Sequence, residues 1–172
     1  MVLNDVTKYL VSKGHKRIGI IAGEYDNTHT VNRIKGIQKA MFEEGILFDP
    51  SLVEYCSWNK AGGIKGMQAL IDKDITAVFC MSDSIAAGAY AFLKEKGLEP
   101  GKDISVMGYD NQEISSLLSP EVSTMALPLE EIGYQAAGKL IDMINNPDTG
   151  DNQKTDIRIK SKLVERKSVK NI

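Results

Sequence analysis

Apolar residues along this chain gather into short runs that stop at small or polar tips, and each run is followed by apolar positions at helical spacing. Residues 16–23 form the first run, nearly continuous through Ile18, Ile20 and Ile21. A polar loop over 24–30 then leads to Val31, Ile34, Ile37, Ala40 and Met41, one helix face reaching Gly45. The second run, Leu52 to Cys56, ends at Ser57-Trp58-Asn59 before a helix through Ile64, Met67, Leu70 and Ile71. Residues 75–81 form the third and halt at Ser82-Asp83-Ser84, ahead of a helix carrying Ile85, Ala89, Phe92 and Leu93 to Gly97. The fourth, 103–111, breaks off in Gly108-Tyr109-Asp110-Asn111. In front of all four, Leu3, Val6, Leu10 and Tyr9 share a helix face, with Asn4 or Asp5 as its cap and Gly14 past its end.

Near-continuous apolar strands are what a parallel sheet covered on both faces requires. Their alternation with helices through short connections predicts an α/β fold, a doubly wound parallel sheet. Beyond Asn111 the pattern changes. Residues 122–127 read as a strand stopped by Pro128, and 129–144 as an amphipathic helix opened by Pro128 and ended by Asn145-Asn146-Pro147. A turn over 148–152 leads to 155–164, where apolar and charged residues alternate as in an edge strand or hairpin arm with one wet face.

In open α/β sheets ligands lie outside the carboxyl ends of the strands. The polar tips all fall there, so Asp26, Asn27, His29, Arg33, Trp58, Ser82, Asp83, Tyr109, Asp110 and Asn111 are expected on one rim. Carboxylate, amide, hydroxyl and guanidinium groups offer paired donors and acceptors, and an indole offers an apolar face; together they suit a neutral polyhydroxylated ligand such as a sugar. Each residue also has a plainer reading. Asp83 is placed to cap its helix, Arg33 to be a solvated charge, Trp58 to be packing, and Asp110 to be a turn aspartate. Their convergence on one rim favours the site.

Composition narrows the chemistry. At 172 residues with 42% hydrophobic and 26% charged residues, the chain is long and apolar enough to bury a core. A formal charge of -2 implies no basic surface for a nucleic-acid backbone. Ser82, Ser84 and the two histidines form no triad motif, and Ala22-Gly23-Glu24 is neither a dinucleotide nor a P-loop fingerprint, so no enzymatic activity and no cofactor are expected. Cys56 and Cys80 read as reduced thiols in apolar runs, and with two separated histidines they supply no metal site. No apolar run approaches the ~20 residues of a membrane span, and no secretory leader opens the chain, so a cytoplasmic location is expected.

An ordered set of motifs then resembles one family. Gly14-His15-Lys16-Arg17-Ile18-Gly19, Arg33-Ile34-Lys35-Gly36, Ala77-Val78-Phe79-Cys80-Met81-Ser82-Asp83, Asp103-Ile104-Ser105-Val106-Met107-Gly108-Tyr109-Asp110, Ser123-Thr124 with Pro128, and Leu163-Val164-Glu165-Arg166-Lys167-Ser168 resemble, in order, the hallmarks of the LacI/GalR transcriptional regulators. The resemblance implies a type I periplasmic-binding-protein-like effector module of two subdomains. It assigns 15–121 and 148–172 to the C-terminal subdomain, and 1–14 and 122–147 to a largely missing N-terminal subdomain; the DNA-binding headpiece lies outside the chain. It implies that Arg33 and Asp110 contact effector hydroxyls, that Trp58 holds an effector-contacting aromatic position, and that Ser82 fills a place often taken by Asn or Thr beside Asp83. Leu127 stands where a Gln is frequent. The implied function is sensing of a small carbohydrate effector, coupled allosterically to operator DNA through the headpiece of a homodimer, with no membrane partner. Two alternatives remain at this point, a periplasmic sugar receptor and a catabolite regulator answering a phosphorylated carrier protein. With most of one subdomain missing, Val6, Leu10, Ile132, Leu140 and Ile144 are expected to be exposed, and the chain to self-associate through them or to carry displaced helices.

Overall fold

The computed structural model describes residues 2–145 and 157–172. In chain order the elements are α1 (Val2–Ser12), β1 (Ile18–Ala22), α2 (Thr28–Glu43), β2 (Val53–Tyr55), α3 (Lys60–Leu70), β3 (Ala77–Cys80), α4 (Asp83–Glu95), β4 (Ser105–Asp110), α5 (Ile114–Leu117), β5 (Ser123–Ala126), α6 (Leu129–Asn145) and β6 (Lys162–Val164). The sheet runs β2-β1-β3-β4-β5-β6. Its first five strands are parallel, and β6 closes the edge antiparallel to β5.

Period-two alternation divides the strand residues between two cores. Ile18, Ile20, Ala22, Ala77, Phe79, Met107, Tyr109 and Met125 face α1 and α2, joining Val6, Leu10, Ile34, Ile37 and Met41. Ile21, Val78, Cys80 and Val106 face the other way and pack with Met67, Leu70, Ile85, Tyr90 and Leu93 of α3 and α4. Every residue of β1 and of β3 is buried, which is why neither strand shows polar alternation. The chain goes from β1 to β2 on one side and then to β3 on the other, so a switch point opens between β1 and β3 at their carboxyl ends.

Several expectations need correction. Val6 and Leu10 are each only 1% exposed, because α1 lies beside α2 and drives both side chains into the first core. Burying two such side chains stabilises by about 1.5–3 kcal/mol apiece, which an outlying helix would forgo. Ser123–Ala126, grouped by the sequence with 122–147, is an inner strand of this sheet, hydrogen-bonded to both β4 and β6. The sheet therefore continues past residue 121. Leu52 belongs to a single 3-10 turn over Pro50–Leu52, and Cys56 follows β2 rather than lying in it. The long final strand shrinks to Lys162–Val164; part of the expected run, and the turn over 148–152, lie outside the described residues. Ile132, Leu140 and Ile144 are exposed as expected, and α6 buries none of its residues.

Candidate functional site

The rim at the β1/β3 switch point is built on a glycine. A Cβ on Gly23, just past β1, would lie 1.9 Å from Trp58 Cε2, so only glycine lets the indole lie across the end of this strand. Trp58, half-buried, touches both cores from that position. Arg33 reaches in from the second turn of α2 and donates from Nη1 to the carbonyl oxygen of Met81, 2.6 Å away, at the end of β3. Its guanidinium stands 4.2 Å from the Tyr109 ring centre and 5.5 Å from that of Trp58. A guanidinium beside two aromatic rings gains cation–π attraction from each, about 0.5–1 kcal/mol per contact when partly exposed.

Asp110 closes the rim from the end of β4, half-buried. Burial raises its pKa above the ordinary carboxylate value, and the Arg33 charge acts in the opposite sense. The phenol of Tyr109 is likewise raised by burial, with Arg33 again opposing. Arg33, Trp58, Tyr109 and Asp110 thus present a charged donor, an aromatic face and a carboxylate acceptor within one cluster. That combination can bind a hydroxylated ring by pairing vicinal hydroxyls and stacking its less polar face.

Other sequence-derived candidates have local duties. The Asn27 side chain accepts from the backbone amides of His29 and Thr30, capping α2. Ser82 is buried and caps α4 through the Ile85 amide. His29 is exposed on the first turn of α2. Asp83 is fully buried and does not line the open rim. Its carboxylate accepts from Thr124 Oγ1 at 2.8 Å and from the Gln112 amide at 2.7 Å, and desolvation lifts its pKa to about 6.

Sequence reasoning passed over Thr124, Gln112 and Arg166, which surround the Asp110 tip. Arg166 donates to Asn111 Oδ1, to Ser115 Oγ and to the Val122 carbonyl, and pairs with Glu121. Its motif, Leu163 to Ser168, signals the family but says nothing of what the arginine grips. Tyr25, read as part of a polar loop, stacks edge-on to Tyr55 with ring centres 4.9 Å apart, and both are exposed. A separate hollow of about 1130 Å³ lies between α6 and residues 157–161; none of the rim residues line it.

Among the described residues no group of three or more His, Cys, Asp or Glu is placed to hold a metal ion. Cys56 and Cys80 are free thiols, both with pKa raised by burial. No described helix is long and apolar enough to cross a membrane.

The family model of the periplasmic binding protein-like domain matches residues 7–169. The ribose operon repressor of Haemophilus influenzae is 39% identical over 143 residues, 82% of this chain and 43% of that protein. The HTH-type transcriptional repressor PurR of the same species is 38% identical over 168 residues, 96% of this chain and 50% of the repressor. A LacI family transcriptional regulator from Enterococcus faecium, solved with bound ribose, superposes with a TM-score of 0.88 at 27% identity, covering 99% of this chain and 63% of that one. The chain spans about half the length of the curated relatives it matches. With the matched family model, the ordered motifs and these relatives in agreement, the chain belongs to the periplasmic binding protein-like domain family, in its LacI/GalR branch.

Proposed function

We propose that this chain is the effector-binding part of a transcriptional regulator, that it senses a small carbohydrate or carbohydrate-containing molecule, and that it has no enzymatic activity. Arg33, Asp110 and Trp58 contact the ligand directly, Tyr109 supports Arg33, Asn27 and His29 edge the rim, and the buried Ser82 and Asp83 hold it from behind. The observation that carries the reading is the Arg33 guanidinium held between Tyr109 and Trp58 beside Asp110 at the switch point. The relatives support a regulator over an exported receptor, since those compared are repressors.

The whole protein acts in the cytoplasm as a homodimer and meets operator DNA through a headpiece outside this chain. A second subdomain, beyond the residues of this chain, closes over the rim. Effector binding favours the closed arrangement, and the difference in its affinity for open and closed states sets the shift in operator affinity.

Titration calorimetry of the full-length protein against pentoses, hexoses, disaccharides and their phosphates tests this. At least one should bind, and Arg33→Ala and Asp110→Ala should each weaken it by roughly tenfold or more, as expected for a charge-assisted hydrogen bond of about 1.5–3 kcal/mol. Absence of binding across the panel would sink the carbohydrate reading.

A further inference from the structure

Two successive non-glycine residues at the tip of β4 adopt positive φ, Asp110 at 97° and Asn111 at 55°. Such a pair is unfavourable for L side chains and persists only where the surroundings over-determine it. The surroundings here are specific. Inside the fold, Asp83 lies against Gly108, where a Cβ would come within 2.1 Å of its Oδ1. Asp83 Oδ2 accepts the Gln112 amide at 2.7 Å, and Oδ1 accepts the Thr124 hydroxyl at 2.8 Å; Thr124 Oγ1 in turn receives the Asn111 amide at 3.3 Å. Outside, Arg166 Nη2 donates to Asn111 Oδ1 at 2.9 Å, while its Nη1 holds Ser115 Oγ and the Val122 carbonyl. The turn is thus gripped on one side by a buried anion and on the other by a cation.

We propose that Asp83 and Arg166 are positioning residues that clamp the Asp110–Asn111 turn in its left-handed conformation, presenting the Asp110 carboxylate to the rim in a fixed direction. Neither need touch the ligand. Asp83 is fully buried, and the described bonds of the Arg166 guanidinium are all to the chain itself. An aspartate suits the inner position better than an asparagine, because both its oxygens accept and the groups offered are an amide N–H and a hydroxyl. The other charged or titratable groups around the clamp are Asp110 on β4 and Cys80 on β3, both interacting with Asp83, Arg33 on α2 acting on Asp110, and Glu121 paired with Arg166. The consequence for effector binding rests on the function proposed above; the clamp itself is measurable without any ligand.

NMR of the whole chain provides the test. In wild type the Gln112 and Asn111 amide protons should shift together through one titration assigned to the Asp83 carboxyl carbon, with its midpoint near the raised value of about 6. In Asp83→Asn that step should vanish, amide exchange at Gln112 should accelerate at least tenfold, and the Asn111 coupling constant should move away from its left-handed value. Arg166→Lys, which keeps the charge but loses the planar fork, should speed exchange at Asn111 and leave the Gln112 titration in place. Should Asp83→Asn fail to fold, Thr124→Val removes the bridging hydroxyl at similar volume and should loosen the Asn111 amide selectively. Unchanged Asn111 and Gln112 amides in the folded variants overturn the clamp. In the full-length protein, D-ribose and the wider sugar panel give the second readout: a protein that binds none of them yet shows the coupled titration keeps the clamp and loses the effector reading. One that binds a sugar equally well with and without Asp83→Asn overturns the positioning role.

Discussion

Replacing Gly23 with alanine isolates the contact on which the rim is built. The new Cβ would fall 1.9, 2.1 and 2.4 Å from Cε2, Cζ2 and Nε1 of Trp58. Ordinary separation between non-bonded carbons is about 3.5–4.0 Å, so the indole must withdraw by roughly 1.5–2 Å. Gly23 has no positive φ that alanine would resist, so the cost arises from crowding and not from the backbone. Overpacking of this kind typically destabilises by about 1–3 kcal/mol, and the weakened contact between Trp58 and Arg33 adds at most about 1 kcal/mol. For a chain of this size a loss of about 2 kcal/mol lowers Tm by roughly 4–8 °C. Trp58 is the single tryptophan, so its emission reports the displacement without labelling. The spectrum should shift to the red and acrylamide quenching should rise, together with the lower Tm. Unaltered emission, quenching and Tm would refute the placement of the indole over β1.

Four further outcomes follow from the same structure. Ser168→Ala should cost about 1–3 kcal/mol in urea unfolding, because its buried hydroxyl accepts from the Ser123 amide at 2.7 Å and donates to the Val106 carbonyl at 2.6 Å, leaving both unsatisfied when removed. Leu10→Ala should cost roughly 2–5 kcal/mol while Leu140→Ala changes stability by less than about 0.5 kcal/mol; equal effects would contradict the docking of α1 and the exposure of α6. His15 is buried between Thr76 Oγ1 and the Lys170 carbonyl, and desolvation lowers its pKa, so its NMR midpoint should fall below 6.5. The stability it contributes should be complete above pH 6.5 and be lost as pH falls through the depressed folded value, a sign opposite to that of Asp83. The raised Asp83 pKa makes ionisation oppose folding, so that group favours the fold increasingly as pH drops from about 6 toward 3.8, and a urea series comparing wild type with Asp83→Asn over that window reads the difference.

The elements were largely legible because they depend on local patterns. Continuous apolar runs named β1, β3 and β4, and helical spacing found α2, α3, α4 and α6, within a few residues of their ends. Asp110 was visible as a polar residue at a strand tip and Arg33 as a charged residue on the helix after one, and the ordered motifs pointed to the family. Hidden from the sequence was everything that depends on distant pairing. Thr124 lies 41 residues from Asp83, and Arg166 lies 55 from Asn111, so neither partnership leaves a local signature. The burial of Val6 and Leu10 escaped for the same reason, since a helix face shows that it is apolar but not what will cover it.

By itself, then, the sequence determined that Asp110 stands at the carboxyl end of a strand and Arg33 on the helix that follows one in a wound α/β sheet, because strand polarity and hydrophobic period are written into neighbouring residues. Only the tertiary structure decided that β1 and β3 adjoin to open the switch point, that Gly23 makes room for Trp58, and that Asp83 turns inward to hold the β4 tip while Asp110 faces the rim. Those outcomes depend on which strands pair and which side chains lose water together, and the free energy of both is set by residues far apart along the chain.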